Sequence, residues 1–395
     1  MSSGSEARGS AELNLAPGER RRSLIAVIAC VSVAALTQGL TWPLLGLMLE
    51  REGASAAFNG LNATAQSLAV FAVSPFAGAV GARFGMVPAA TLALVLEAVL
   101  FLAFPLIEPG VLWLPLRFLI GMGSATLYIL SETWINQIAP DHARGRILGI
   151  YGTLWAAGFG IGPLILTVTG LEGWPPFLAG AGLLLLAVPP LAFARGLVPR
   201  LAREPGASFT GVVRRAPVAI LCMLMFGFVD AAMVSLLAVY AVRIGLGTDG
   251  AVALVSTLLI GAVVSQLPAG WIADRMDRGR LLLGTVVAMT AAALAVPLAA
   301  GSPLLLWPTV FALGAALGAT YLVTIILAGE RFRGRDLAAA NAVRASAWSV
   351  GSIFGPPAAG AAMETVGAIG LPVTVALACG VFLAYATFAR IGGDR

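Results

Sequence analysis

No lysine occurs among the 395 residues: all 24 basic side chains are arginine, and there is one histidine, His142. Without lysine there is no Walker-type G-x-x-x-x-G-K-[ST] phosphate loop, so ATP is not the direct energy source. A single imidazole in a loop, without a Cys, Asp or Glu cluster beside it, gives little support to a transition-metal site. The three cysteines, Cys30, Cys222 and Cys379, stand singly in apolar runs with no C-x-x-C spacing. They read as small hydrophobes, neither disulfide nor metal cluster. Charge of either sign is scarce. Only 11% of residues are charged, against about a quarter in a soluble protein.

What fills the chain is apolar: 59% of residues are hydrophobic, and the mean hydropathy is +0.94. This is the composition of a polytopic membrane protein. Apolar segments punctuated by Arg, Gly and Pro fall at about 23–48, 57–81, 87–107, 111–137, 147–170, 175–195, 216–242, 251–273, 281–300, 303–328, 337–362 and 368–390. Each approaches or exceeds the roughly 20 residues that cross a bilayer as a helix. The opening "RRRSLIAVIACVSVAAL" resembles a signal peptide, but its apolar character runs on to Met48, beyond a signal core of about 7–15 residues. It reads as an uncleaved first membrane helix.

The segments divide the chain into a disordered cytoplasmic N-terminus (1–19), a six-helix bundle (20–195), a polar cytoplasmic linker (196–215), a second six-helix bundle (216–390) and a short tail (391–395). Orientation follows the positive-inside rule. With both termini in the cytoplasm, only Arg51 and Arg243 face outside, Arg117 and Arg344 lie within segments, and the remaining 20 arginines are cytoplasmic. The basic pI of about 9.6 is therefore a topology signal, and no nucleic-acid partner is expected.

The two bundles repeat. "WAAGFGIGP" (155–163) returns as "WSVGSIFGP" (348–356), an offset of 193, at which Gly121 also meets Gly314 and Tyr128 meets Tyr321. "GAVGARFG" (78–85) parallels "GWIADRMD" (270–277) at an offset of 192. A near-constant offset implies duplicated halves about a pseudo-two-fold axis, with a binding site between them near the bilayer midplane.

These residues resemble the major facilitator superfamily over positions 20–395. "GWIADRMDRGR" (270–280) is similar to its loop signature G-x-x-x-D-R-x-x-R-x-R between helices eight and nine. "RFLIGMGSA" (117–125) resembles its helix-four arginine motif, and "GFGIGP" (158–163) the Gly-Pro motif of helix five, without the trailing glycines. "SETWINQ" (131–137) together with "DRMDR" (274–278) resembles the YcaD-like branch. The resemblance implies an all-α integral membrane fold, twelve transmembrane helices in two pseudo-symmetric six-helix bundles, in which helices one, four, seven and ten line a central cavity.

The first-half loop departs from the signature: Ala82 stands where the acid is expected, leaving Arg83. Such an acid meets the positive N-terminal end of a helix in the other half. Asp274, with Arg275 and Arg278 beside it, can still do so toward the start of helix five near Arg144, so the cytoplasmic gate is expected to lean on the second-half loop. In the Gly-Pro motifs, Gly162, Pro163, Gly355 and Pro356 stand as gating candidates. Packing and helix bending without substrate contact is the simpler reading of them. No strand–turn–helix context supports a dinucleotide fold.

Five ionisable residues lie within apolar segments: Glu97, Arg117, Glu132, Asp230 and Arg344. Such groups face a bundle interior or a watery cavity, because lipid cannot solvate them. Asp230 sits mid-segment in "FGFVDAAMV" with no partner at its depth in its own helix. It reads as a proton-coupling group or a hold for a cationic substrate moiety, or else as structural glue bonded to a neighbouring helix. Arg117 and Glu97 are close enough in depth to pair. Glu132 and Arg344, from different halves, read as a pair across the cytoplasmic gate or as two charges snorkelling to the interface. Gln38, Asn62, Gln66, Tyr128, Trp155, Tyr321, Asn341 and Trp348 complete the candidate lining.

The expected function is secondary active transport of a small organic solute by alternating access in the inner membrane. Proton coupling and export by antiport are favoured, with no enzymatic activity, no cofactor and a monomeric chain in the lipid bilayer. A non-transporting receptor or scaffold of the same fold stays open, although a receptor would carry an appended soluble domain. A transition-metal importer rests on Cys222, Met223, Met225 and Met233 alone, and these read more simply as packing.

Overall fold

The computed structural model describes residues 15–140, 143–197, 213–331 and 335–393. His142 lies outside them. Among the described residues, twelve helical segments make up the two halves. The first half comprises α1 (Pro17–Arg51), α2 (Ala56–Phe84), α3 (Met86–Ala103), α4 (Trp113–Ile138), α5 (Arg144–Ile161) and α6 (Pro175–Leu186). The second comprises α7 (Pro217–Arg243), α8 (Thr248–Ala273), α9 (Arg278–Ala299), α10 (Pro303–Arg331), α11 (Arg335–Val366) and α12 (Gly370–Gly393). Among the described residues, ten spans are long and apolar enough to cross a membrane by length and composition, with Met86–Leu106, Ile147–Thr169 and Pro175–Phe193 each running across a short break in its helix. α1 begins at Pro17, inside the stretch expected to be disordered, because Pro fits the first turn of a helix without losing a hydrogen bond. α5 is broken by a 3-10 turn at Gly162–Leu164 before a last turn, Ile165–Thr169. Pro163 therefore interrupts its helix, whereas its counterpart Pro356 lies inside an unbroken α11.

Each helix pairing in one half has its counterpart in the other. α1 packs on α5 as α7 packs on α11, α2 on α4 as α8 on α10, α3 on α6 as α9 on α12, and α1 on α6 as α7 on α12. The repeated glycines explain the first two pairings. A Cβ added at Gly158 would lie 2.5 Å from the Ser32 carbonyl oxygen, and at Gly162 2.3 Å from that of Leu36. Their repeats do the same on α7: Gly351 would meet Leu224 O at 2.0 Å and Gly355 would meet Phe228 O at 2.0 Å. Gly121 and Gly314 likewise bring α4 and α10 against α2 and α8. Small residues let membrane helices approach to backbone contact, where dispersion and weak polar contacts substitute for the missing hydrophobic drive.

The halves meet along α2 against α11, α5 against α8 and α1 against α7. The α2–α11 seam is close at the end where α1 and α7 finish. A Cβ at Gly60 would lie 2.2 Å from Pro356 O, one at Gly360 would lie 2.2 Å from Ala56 O, and Thr64 Oγ1 donates to Ile353 O at 2.8 Å.

Candidate functional site

In the first half, the polar candidates form a buried chain across four helices. The Arg117 guanidinium, 1% exposed on α4, donates through Nη1 to Asn62 Oδ1 (2.9 Å) and through Nε to Gln66 Oε1 (3.3 Å). Its plane lies over the Trp42 ring, 4.8 Å from the centroid. Gln66 Nε2 donates to Gln38 Oε1 at 2.8 Å, and Gln38 Nε2 donates to Ser124 Oγ. Glu97 on α3 brings its carboxyl against Ser124 and Gln38, while its Oε1 has no hydrogen-bond partner. Neutral carbonyl acceptors and an aromatic face offset part of the desolvation of Arg117, while its Nη2 and the Asn62 Nδ2 are buried without a hydrogen-bond partner.

The expected Glu97–Arg117 ion pair is absent. Glu97 lies against Gly123, where an added Cβ would be 2.6 Å from its Cγ. Gly123 and Arg117 are six residues apart, about 9 Å along the axis, and face different sides of α4. Arg117 turns to α2, Glu97 to α4 and α1, and the two charges communicate only through Gln66 and Gln38. The depth estimate was adequate; the angular position was not.

Across the bundle, Asp230 is half-buried in the middle of α7, whose following eleven residues, Ala231–Ala241, are all buried. Trp348 Nε1, on α11, donates to Asp230 Oδ2 at 3.3 Å. The carboxylate therefore has a partner on a neighbouring helix. One turn away on α11, the Arg344 guanidinium stands 5.8 Å from the Tyr321 ring centroid, and its Nε is buried without a hydrogen-bond partner. Tyr321 in turn packs on Phe226, centroids 5.1 Å apart. The first half repeats the aromatic theme: Tyr128 meets Trp155 edge-on at 6.0 Å, and Trp155 stacks on Phe159 at 5.2 Å.

Glu132, on α4, is exposed to solvent yet faces Arg344 of the other half within electrostatic reach. They make no ion pair in this structure. The buried Tyr151 lies in the same electrostatic neighbourhood, near Glu132, Tyr128 and Tyr321. Asp274 and Arg83 are exposed, Arg83 over the Phe84 ring at 5.5 Å. Arg275 lies over Trp271 at 3.7 Å, and Arg278 Nε donates to Ala273 O at 3.4 Å. The side chains of Arg144 and Asn341 lie outside the described residues. The sulfur groups of α7 are absorbed by packing: Cys222 Sγ contacts Thr324 Oγ1 at 3.2 Å, and Cys379 Sγ contacts Met225 Sδ at 3.9 Å.

Two groups of residues emerge only from the three-dimensional arrangement. Trp42 covers Arg117, although nothing in its local sequence marks it. At the end where α1 and α7 finish, Glu50, Arg51, Glu172, Arg243 and Glu364 form ion pairs. The signal for these was available, since Arg51 and Arg243 are the same 192-residue repeat as the loops.

Comparison with known proteins agrees with this geometry. The chain is similar to the MFS-type transporter YfkF of Bacillus subtilis (strain 168), 28% identical over 347 residues, 86% of this chain and 88% of that protein. It is 25% identical over 254 residues to the MFS-type transporter YcaD of Salmonella arizonae, covering 62% of this chain and 63% of that one, in keeping with the YcaD-like resemblance. Among solved structures, a nucleoside transporter NupG mutant superposes with a TM-score of 0.75 at 13% identity, over 94% of this chain and 99% of that one. A bacterial homolog of the human lysosomal transporter Spinster, inward-facing and unoccupied, superposes with a TM-score of 0.69 at 16% identity, over 94% and 96%. The family model of the Major Facilitator Superfamily matches residues 27–260 and 248–392. The chain is a multi-pass membrane protein, a non-enzymatic secondary transporter, and it belongs to the Major Facilitator Superfamily.

Proposed function

We propose that this transporter couples movement of a small organic solute to protons by alternating access, exporting it by antiport across the bacterial inner membrane as a monomer with both termini in the cytoplasm. In this orientation, the close-packed end of the α2–α11 seam is extracellular, and the structure is the inward-facing state. The observation that carries the reading is Asp230. A charged group at a helix centre costs roughly 2.5–3.5 kcal/mol on insertion scales, and here it is partly buried on α7 and bonded to Trp348 of α11. A carboxylate bonded to the helix that moves with the seam can exchange its proton for solute as the halves rock. Aromatic faces at Tyr128, Trp155, Tyr321 and Trp348 supply contact area for an organic body, and Arg344 with Glu132 lines the cytoplasmic exit.

The Arg117 chain ties α4 to α2 and α1 within the first half. Proteoliposomes with a pH gradient and an entrapped pH dye, screened against a metabolite and drug library, test the proposal. Solute-dependent proton efflux that vanishes in Asp230→Asn supports it, whereas solute flux with no proton movement contradicts the coupling.

A further inference from the structure

The extracellular end carries the two-fold repeat in its charges and in one ion pair, Arg51–Glu172 and Arg243–Glu364, but not in the contacts that cross the seam. Arg51 repeats as Arg243, Glu172 as Glu364, and Ala56, the first residue of α2, as Thr248, the first of α8, all at an offset of 192. One set of contacts crosses the seam. Glu364 Oε1, on α11, accepts from the backbone N–H of Ala56 at 2.7 Å and from Arg243 Nη2 at 3.1 Å. Arg243 reaches across to Glu50 of α1 through Nε at 2.7 Å and Nη2 at 3.2 Å. Both the carboxylate and the guanidinium therefore tie the second half to the first.

In the repeated set, Arg51 Nη1 donates to Glu172 Oε1 at 3.2 Å as Arg243 does to Glu364, but among the described residues Glu172 accepts no backbone N–H across the seam, and its side chain is 91% exposed. What crosses the seam is Arg51 Nη2, which donates to Thr248 Oγ1 at 3.0 Å. A cleft of about 370 Å³ opens there, lined by Arg51, Leu166, Thr169, Glu172, Thr248 and Asp249.

The sequence explains the difference. α2 has Ser55 as its N-cap, whose hydroxyl accepts from Phe58 N, and no acid in its first turn. Its Ala56 N–H and the positive end of its dipole are free for an incoming carboxylate. α8 has Gly247 as its N-cap and carries Asp249 in its first turn. That end already holds a negative charge, which repels Glu172.

We propose that Glu364 is the latch that holds the extracellular end shut, bridging to the N-terminus of α2 and through Arg243 to Glu50, and that Glu172 is its unlatched counterpart. Glu364, Arg243 and Glu50 are positioning residues: they touch no solute and set the balance between the two states. The proposal rests on the alternating-access reading above.

Spin labels test it without knowledge of the solute. Glu108→Cys with Gly301→Cys, in equivalent loops, reports the extracellular end, and Phe84→Cys with Met276→Cys reports the cytoplasmic end. The native cysteines are buried. In nanodiscs, Glu364→Ala is expected to raise the open-to-closed ratio at the extracellular end by about fivefold or more, from the combined loss of helix-end and ion-pair contacts. The cytoplasmic end closes in step. Glu364→Gln, which keeps an acceptor but drops the charge, shifts the ratio the same way by less, and Glu172→Ala leaves it within about twofold. If both ends sample two distances but Glu364→Ala leaves their ratio as in wild type, the latch is overturned. An equal shift in Glu172→Ala overturns the asymmetry. A single fixed distance at both ends in every variant overturns the alternating-access reading beneath it.

Discussion

Asp230 occupies on α7 the position that Gln38 occupies on α1, 192 residues earlier, and the two have opposite fates. Gln38 is closed into a buried chain between Gln66 and Ser124, while Asp230 is half-buried and bonded to Trp348 alone. One repeat position has thus become a joint within the polar chain of the first half and a partly buried carboxylate with one partner in the second. The first-half chain is only partly satisfied, since Arg117 Nη2, Asn62 Nδ2 and Glu97 Oε1 are buried without a hydrogen-bond partner.

Asp230→Asn keeps an acceptor for Trp348 Nε1 and removes only the ionisable group. It is expected to leave the melting temperature within about 2 °C of wild type and to abolish the pH dependence of the inward/outward balance. Inter-half distances measured between pH 5.5 and 8.5 check this. A pH response equal to wild type would place the proton site elsewhere.

The first-half chain makes a different prediction. Arg117→Ala strands the buried Asn62 and Gln66 carbonyls and uncovers Trp42, so it should destabilise the protein by about 3 kcal/mol. Glu97→Gln, isosteric and facing Ser124 and Gln38, should lower stability by about 1 kcal/mol or less. Because the two charges do not touch, the swapped double variant Glu97→Arg with Arg117→Glu should rescue nothing. Thermal unfolding of the purified variants decides it, and rescue by the swap would restore the ion pair that the structure lacks.

The glycine repeats are tested by the smallest possible side chain. Gly351→Ala places a methyl group 2.0 Å from Leu224 O and 2.7 Å from Phe228 N, and should destabilise by about 2 kcal/mol or more as overpacking. Gly284→Ala on α9 meets nothing within 4 Å and should be neutral, or stabilising by up to about 1 kcal/mol through helix propensity. Equal effects at both sites would remove the packing role of the repeat.

How far the sequence could be read follows from the same residues. The twelve segments and the duplication were legible because lipid forbids exposed backbone polarity and forces long apolar runs. Repeat offsets of 192 and 193 located Gly158, Gly162, Gly351 and Gly355, which the structure places at backbone-to-backbone contacts. Side-chain direction was not legible. Sequence depth alone paired Glu97 with Arg117, but their positions around α3 and α4 send them to different neighbours, and Asp230 found its partner on a helix more than a hundred residues away. Long-range contacts of this kind leave no local periodicity. The ion pairs at the ends of α1 and α7 went unread for another reason: Glu50, Glu172 and Glu364 lie at the ends of segments, where an acid looks like an ordinary loop residue.

Glu132 gives a prediction about access. It is exposed in this state and faces Arg344 without an ion pair. Glu132→Cys should react with a membrane-impermeant maleimide in inside-out vesicles and resist it in right-side-out vesicles. Labelling from the extracellular side alone would reverse the proposed orientation. At the same end, Ala82→Asp restores the missing acid and should favour the cytoplasm-closed state, while Asp274→Asn should disfavour it. Both are read from the cytoplasmic label pair, and no change in either would remove the loops from the gate.

Most direct of all is a simultaneous reading of both ends in the otherwise unaltered protein, across a pH step in nanodiscs. If two matched bundles rock about a shared cavity, the separation at 108/301 lengthens as that at 84/276 shortens, with the same midpoint and the same fractional change. Ends that open together, or one that moves while the other stays fixed, would contradict the account.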